Sequence, residues 1–117
     1  MNNYKKLDVW KDSVDLVTEV YKLCQKFPND EKFGLTSQIK RSAVSIPSNI
    51  AEGAGRSSKK DFANFLHFAI ASSFELETQL IIALNLNFLI NEDLESIQLK
   101  LTSIEKRLYS LIKSLQV

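Results

Sequence analysis

The chain has 117 residues, 44% of them hydrophobic and 25% charged, and a formal net charge of +1 at pH 7. That balance describes a globular domain and excludes a disordered tail. No apolar run reaches the roughly 18 residues of a membrane span, because the stretch from Leu80 to Ile90 is short and broken by Asn85 and Asn87. Three Gly and two Pro leave few places to turn, which favours a few long helices over many short strands. The small net charge shows no global field suited to nucleic acid or an anionic membrane. The single cysteine, Cys24, has no internal disulfide partner, and Met1 to Trp10 carries no apolar signal region. Both features point to a reducing, cytoplasmic setting.

The first helix is predicted over 7–26. From Trp10 the apolar residues Val14, Val17, Tyr21 and Cys24 follow at alternating steps of four and three, one helical stripe. Phe27-Pro28 ends it, and Pro28-Asn29-Asp30 forms a turn in which Asn29 or Asp30 caps a second helix over 31–52. The core face of that helix is Leu35, Ile39, Ala43, Ile46 and Ile50. Gly53 is expected to close it in the left-handed conformation, and Pro47 to kink its last turns. Gly53-Ala54-Gly55-Arg56-Ser57 is the clearest interruption in the chain. Ser57 or Ser58 then caps a third helix over 58–87, with Asp61 in its first turn. Asn91-Glu92-Asp93 reads as a cap and acidic first turn for a fourth helix over 92–115, where Leu94, Ile97, Leu101, Ile104, Leu108, Leu111 and Leu115 alternate strictly by three and four. Connections this short set consecutive helices antiparallel, so the prediction is an all-α, up-down-up-down four-helix bundle forming one domain over 1–117.

The third helix carries more apolar surface than one core needs. Its apolar arc spans about half the circumference, against the roughly 100° stripe of an ordinary amphipathic helix, and Phe68, Ile82 and Leu86 fall outside even that arc. A central helix touching both neighbours is one explanation; the alternative is that part of the face packs against another subunit, and the expectation is a homo-oligomer. Glu77 projects into the arc with Ser73 one turn before it, so it calls for a partner. On the second helix Gln38, Ser42, Ser45, Asn49 and Glu52 form a polar stripe beside the core stripe. A hydrogen-bonded network that sets helix register and a solvated face both account for it, ahead of a catalytic role.

Tests for chemistry return nothing specific. A ferritin-like metal centre needs Glu-x-x-His pairs, whereas the single histidine, His67, follows Asn64 by three residues, so no metal is expected. Glu75 and Glu77 are two apart and face away from each other, and Cys24 sits on an apolar stripe. Gly53-Ala54-Gly55 opens like a dinucleotide fingerprint but lacks the third glycine and the preceding strand, so no cofactor is expected either. What remains is a helix N-terminus flanked by Arg56, Lys59 and Lys60, with Lys40 and Arg41 upstream. Residues 1–60 hold 11 Lys+Arg against 7 Asp+Glu, and residues 61–117 hold 4 against 7, giving +4 and −3. The neutral total thus conceals a basic half and an acidic half.

Leu7-x-Val9-Trp10-Lys11, Phe27-Pro28 with Glu31, Gln38-x-x-Arg41-Ser42-Ala43-x-Ser45-Ile46-x-x-Asn49-Ile50-Ala51-Glu52-Gly53 and Ser72-Ser73-x-Glu75-Leu76-Glu77-Thr78 carry a family resemblance. Nearly the whole chain resembles the bacterial 23S rRNA-intervening-sequence proteins, often labelled ribosomal. The resemblance implies a left-handed four-helix bundle assembled as a homopentamer. The chain is also similar to the accessory protein of diversity-generating retroelements, a bundle that binds nucleic acid through a basic pentameric surface; this chain departs from it in being nearly neutral. The expectation is a non-enzymatic, cytoplasmic oligomer that binds RNA or a ribonucleoprotein through a basic rim of Lys40, Arg41, Arg56, Lys59 and Lys60. Gln38, Ser45, Asn49, Glu52, Ser73 and Glu77 form the expected structural network. The competing reading is a protein-interaction scaffold with no nucleic-acid role.

Overall fold

A computed structural model describes residues 3–117, so Met1 and Asn2 of the N-terminal stretch lie outside the described residues. Four helices, α1 (Asp8–Cys24), α2 (Leu35–Ala54), α3 (Lys59–Asn85) and α4 (Asn91–Ser114), make up the fold, with no strand among the described residues. A 3-10 turn over Tyr4–Lys6 precedes α1. Each helix packs on two others, α1 on α2, α2 on α3, α3 on α4 and α4 back on α1, which closes a four-helix bundle. Its centre is aliphatic: Leu16, Ile39, Ile46, Ile50, Leu66, Leu76, Leu80, Leu101, Ile104 and Leu108 are all fully buried.

The α1 stripe differs from the expected one. Val9, Ser13, Leu16, Val20, Leu23 and Cys24 are buried, whereas Trp10 and Val17 pack at the edge and Tyr21 is exposed. At 100° per residue the two stripes lie about a quarter-turn apart. The buried one wins because Lys11, Asp15, Thr18, Lys22 and Gln25 stand diametrically opposite it and reach water. Ser13 conceals this face in the sequence; it is tolerated in the core because its hydroxyl donates to the Trp10 carbonyl at 2.8 Å.

The α2 boundaries also shift. Asn29–Glu31 is a 3-10 turn and α2 begins only at Leu35, whose N–H is accepted by Glu31 Oε1 at 3.1 Å. Glu31 is therefore the cap, in place of Asn29 or Asp30. At the other end α2 runs through Pro47 and Gly53 to Ala54, and no glycine has a positive φ. Gly53 serves contact and not chain reversal: a Cβ there would stand 2.6 Å from Phe65 Cβ and 3.1 Å from Phe62 Cδ1. The missing side chain lets the end of α2 lie directly against the start of α3.

Ser58 caps α3, accepting from the Asp61 N–H at 3.0 Å. The helix ends on Asn87, at φ 64°, with the Phe88 N–H bonded to the Ala83 carbonyl and the Asn87 N–H to that of Leu84. This is a Schellman closure, in which Asn accepts the left-handed conformation that β-branched residues resist. Asn91 is the first residue of α4 and makes no capping bond; Glu92 and Asp93 supply the acidic first turn, favourable beside the positive helix end.

Candidate functional site

The seam between α2 and α3 is lined by small polar residues. Buried Ser42 lies 2.7 Å from Gln79 Oε1 and 3.1 Å from its own Ile39 carbonyl. The Ser72 hydroxyl donates to the Phe68 carbonyl at 3.0 Å, and having one proton it accepts from Ser45 at 2.8 Å. Ser45 in turn accepts from Asn49 Nδ2 at 2.9 Å. One consistent set of protons therefore runs Asn49 to Ser45 to Ser72 to Phe68, from one helix to the next.

Of the six residues expected to form a network, this chain joins Ser45 and Asn49. Gln38 and Glu52 are exposed, and Glu52 stands 3.5 Å from Arg56. Ser73, fully buried, donates to Glu105 of α4. Glu77 is half-buried and makes no hydrogen bond or ion pair among the described residues, so the partner expected for it is not there. Sequence reasoning passed over Ser72, Gln79 and Glu105. Ser72 and Gln79 carry a signal nonetheless, for they stand seven apart on one stripe of α3, facing the Ser42, Ser45, Asn49 stripe of α2.

The five candidate cations form two groups. Arg56, Lys59 and Lys60 are exposed around the α2–α3 turn. Arg56 is held by Glu52 and by the Phe65 ring, 4.6 Å from its guanidinium, while Lys59 and Lys60 have no carboxylate within 4.0 Å among the described residues. Lys40 is half-buried, its ammonium 4.8 Å from the Tyr21 ring centroid, and Arg41 beside it is exposed. At 1.5 Å per helical residue, roughly 20 Å of α2 separates this pair from the turn.

Charges also bind α1 to α4. Arg107 meets Asp12 at 2.6 Å, Lys100 pairs with Glu19, and Lys26 lies 3.6 Å from Asp93. The rungs are seven residues apart in sequence, Lys26 standing just beyond the end of α1, and seven is the spacing of flanking pairs in a coiled coil. The polarity reverses at the last rung. A slip of one heptad would set Glu19 against Asp93 or Lys26 against Lys100, so the ladder penalises the wrong register even though each exposed pair stabilises by at most about 1 kcal/mol.

Between the end of α1 and the start of α2 lies a hollow of about 260 Å³ that Cys24, Asn29, Lys32, Thr36 and Lys40 line. Thr36 is buried and its hydroxyl has no hydrogen-bond partner. In a helix such a hydroxyl bonds the carbonyl four residues back, but residue 32 belongs to the turn before α2. An unsatisfied buried hydroxyl costs about 1–3 kcal/mol. Burial pushes the Cys24 thiol up to about 11, and the charge of Lys40 pulls it part of the way back. The thiol is thus neutral near pH 7 and is no activated nucleophile.

Among the described residues no three His, Cys, Asp or Glu side chains come together as metal ligands, and no helix is long and apolar enough to cross a membrane. The fold and its seams define an all-α four-helix-bundle protein. The chain belongs to the 23S rRNA-intervening sequence protein family, whose model matches residues 5–110. It is also similar to a protein with unknown function from the S23 ribosomal protein family of Bacteroides thetaiotaomicron, solved by crystallography. That structure superposes with a TM-score of 0.82 at 33% sequence identity, covering 90% of this chain and 98% of that one. No curated protein matches the chain.

Proposed function

We propose that the protein is a non-enzymatic, oligomeric helical bundle that binds RNA or a ribonucleoprotein through the cations of the α2–α3 turn. The observation that carries this reading is Lys59 and Lys60, exposed at the N-terminus of a 27-residue helix with no carboxylate partner among the described residues. Cations joined to a positive helix end attract phosphate. Two free lysines and a partly neutralised Arg56 make a weak site in one copy. An oligomer, five copies by the family resemblance, would gather several such sites against one strand and raise avidity without new contacts. Lys40 and Arg41 are the more distant contacts of the same strand. The antiparallel course of the helices is supported by partners whose numbers fall on one helix as they rise on the other: Ser42 with Gln79 and Ser45 with Ser72, Asp12 with Arg107 and Glu19 with Lys100.

Retention of structured RNA on the purified protein tests this. Binding is expected to weaken steeply as salt rises and to be lost on replacing Arg56, Lys59 and Lys60 by Glu. Salt-insensitive retention, or retention unchanged in that variant, refutes it. A scaffold reading draws on the shallow hollow over Ser45, Asn49, Phe68, Ser72 and Glu75, where Phe68 is 54% exposed. It predicts a stoichiometric protein partner that survives nuclease treatment and is lost in Phe68→Glu.

A further inference from the structure

We propose that the whole end of the bundle at which α2 passes into α3 recognises the phosphate backbones of a duplex RNA. This rests on the RNA-binding reading above and extends it from one turn to three segments of chain. Partners across the helices fix the height of each residue along the bundle. Sixteen residues on from the contact of Tyr21 with Lys40, Lys5 stands about level with Arg56. Twelve residues on from the Ser45–Ser72 hydrogen bond, Lys60 stands about level with Ser57. Six on from the Asp12–Arg107 pair lie Lys6 and Lys113. At 1.5 Å per helical residue, Lys5, Lys6, Arg56, Lys59, Lys60 and Lys113 fall within about two helical turns of one plane. The 3-10 turn that carries the first two packs on both α1 and α2.

All six cations are exposed, and only Arg56 has a carboxylate within 4.0 Å among the described residues. Over 3–8, 55–61 and 112–117 this end holds two acidic side chains, Asp8 and Asp61, and Asp8 lies 3.9 Å from Lys11 further up α1. The opposite end, 25–34 and 91–95, holds five acidic side chains against two lysines. Folding therefore sorts the charges by bundle end and not by half of the sequence. Lys113 joins the basic end from the acidic half, while Asp30 and Glu31 leave the basic half for the acidic end. A molecule 43 Å long with its charge so divided turns one end toward a polyanion. Copies set side by side around a cyclic axis along the bundle carry every basic end on the same face, where several can engage one ligand.

The aromatic residues near this end decide the class of nucleic acid. Proteins that hold single strands stack the bases on free aromatic faces. Here Tyr4 and Trp10 pack edge to face at 5.0 Å and against the core, Phe62 is buried, and the Arg56 guanidinium covers the Phe65 ring at 4.6 Å. The end thus offers ammonium and guanidinium groups, which suit phosphate oxygens, and engaged rings. A duplex hides its bases and carries phosphate at about twice the linear density of one of its strands, and duplex RNA is recognised by backbone and shape.

The test is fluorescence anisotropy of the purified full chain with a duplex RNA of about 16 base pairs and with one of its strands, each at several salt concentrations. The duplex is expected to bind more tightly than the single strand, and equally for unrelated sequences. Lys5→Gln, Lys6→Gln and Lys113→Gln together should weaken duplex binding about tenfold or more near 0.1 M salt, and lower the slope of log affinity against log salt by about 3. Helical circular dichroism should be unchanged, since all three side chains are exposed. Unchanged affinity and slope in that variant overturn the proposal; loss of binding in Arg56→Gln, Lys59→Gln and Lys60→Gln together then leaves the RNA reading standing, confined to the α2–α3 turn. Tighter binding of the single strand overturns the duplex assignment. A wild type that binds neither RNA overturns both readings.

Discussion

Burial holds the Cys24 thiol at a pKa of about 11 against its ordinary 9.0, desolvation outweighing the attraction of Lys40. Between those two values the unfolded chain has released this proton and the folded chain has kept it. The unfolded state then binds fewer protons, and stability falls as pH rises. The contribution is whole below pH 9 and is lost as pH climbs through 11. Chemical denaturation at several pH values should therefore show a decline over pH 9–11 that is shallower in Cys24→Ala, whose own stability at pH 7 is lower by about 1 kcal/mol. Comparing the two proteins isolates the thiol's own contribution; identical slopes would show that the thiol is not shifted. At this scale the sequence is only partly readable. Ser58 caps α3 through a rule that depends on local spacing alone. Glu31 caps α2 because a 3-10 turn carries its carboxylate back to Leu35, and no residue pattern announces that turn's geometry.

Helix against helix, the closest approach is at Gly53. An alanine there gains up to about 1 kcal/mol of helix propensity. Its Cβ would meet Phe65 Cβ at 2.6 Å, an atom fixed to its backbone and unable to swing aside, and the Phe62 carbonyl at 3.3 Å. The helices must separate, and overpacking of this kind costs about 1–3 kcal/mol. Gly53→Ala is accordingly expected to lower stability in urea denaturation by about 1–2 kcal/mol, and Gly53→Val by more; an alanine variant more stable than the wild type would show that the seam has room. The same glycine explains what the sequence conceals about elements. Read locally, Gly before Ala-Gly is a helix stop, and only the facing Phe62 and Phe65 reveal it as a contact. The four helices and the α4 face are legible because Leu94 to Leu108 repeat without interruption. The α1 face is not, since Ser13 sits in the true stripe and Val14 beside it. Likewise the α1–α4 ladder stands in the sequence as charges seven apart, but which charges meet depends on how the bundle closes.

The whole molecule measures 43 × 24 × 20 Å, and α3, about 40 Å long at 1.5 Å per residue, runs its full length. Its inner face is spent on the core. Its outer face still shows Phe68, Phe74, Ile81, Ile82 and Leu86, each at least two-fifths exposed, with Glu75 the one charged residue among the exposed positions from Phe68 to Leu86. Helices that face water normally carry charge there, as α4 does with Glu95, Lys106 and Lys113. An apolar outer face is the form a helix takes when another chain covers it. Phe68→Glu combined with Ile82→Glu should leave the isolated fold within about 0.5 kcal/mol, because neither side chain belongs to the core. Light scattering should then find the wild type at several times 13.3 kDa and the double variant at that mass, with helical circular dichroism unchanged. A wild type already monomeric at micromolar concentration would remove the reason for the apolar face. The two properties are also coupled. If assembly is what multiplies a weak cationic site, the double variant loses RNA retention although Arg56, Lys59 and Lys60 are untouched. RNA retained by the monomer at wild-type strength would instead place the whole affinity in one copy of the α2–α3 turn.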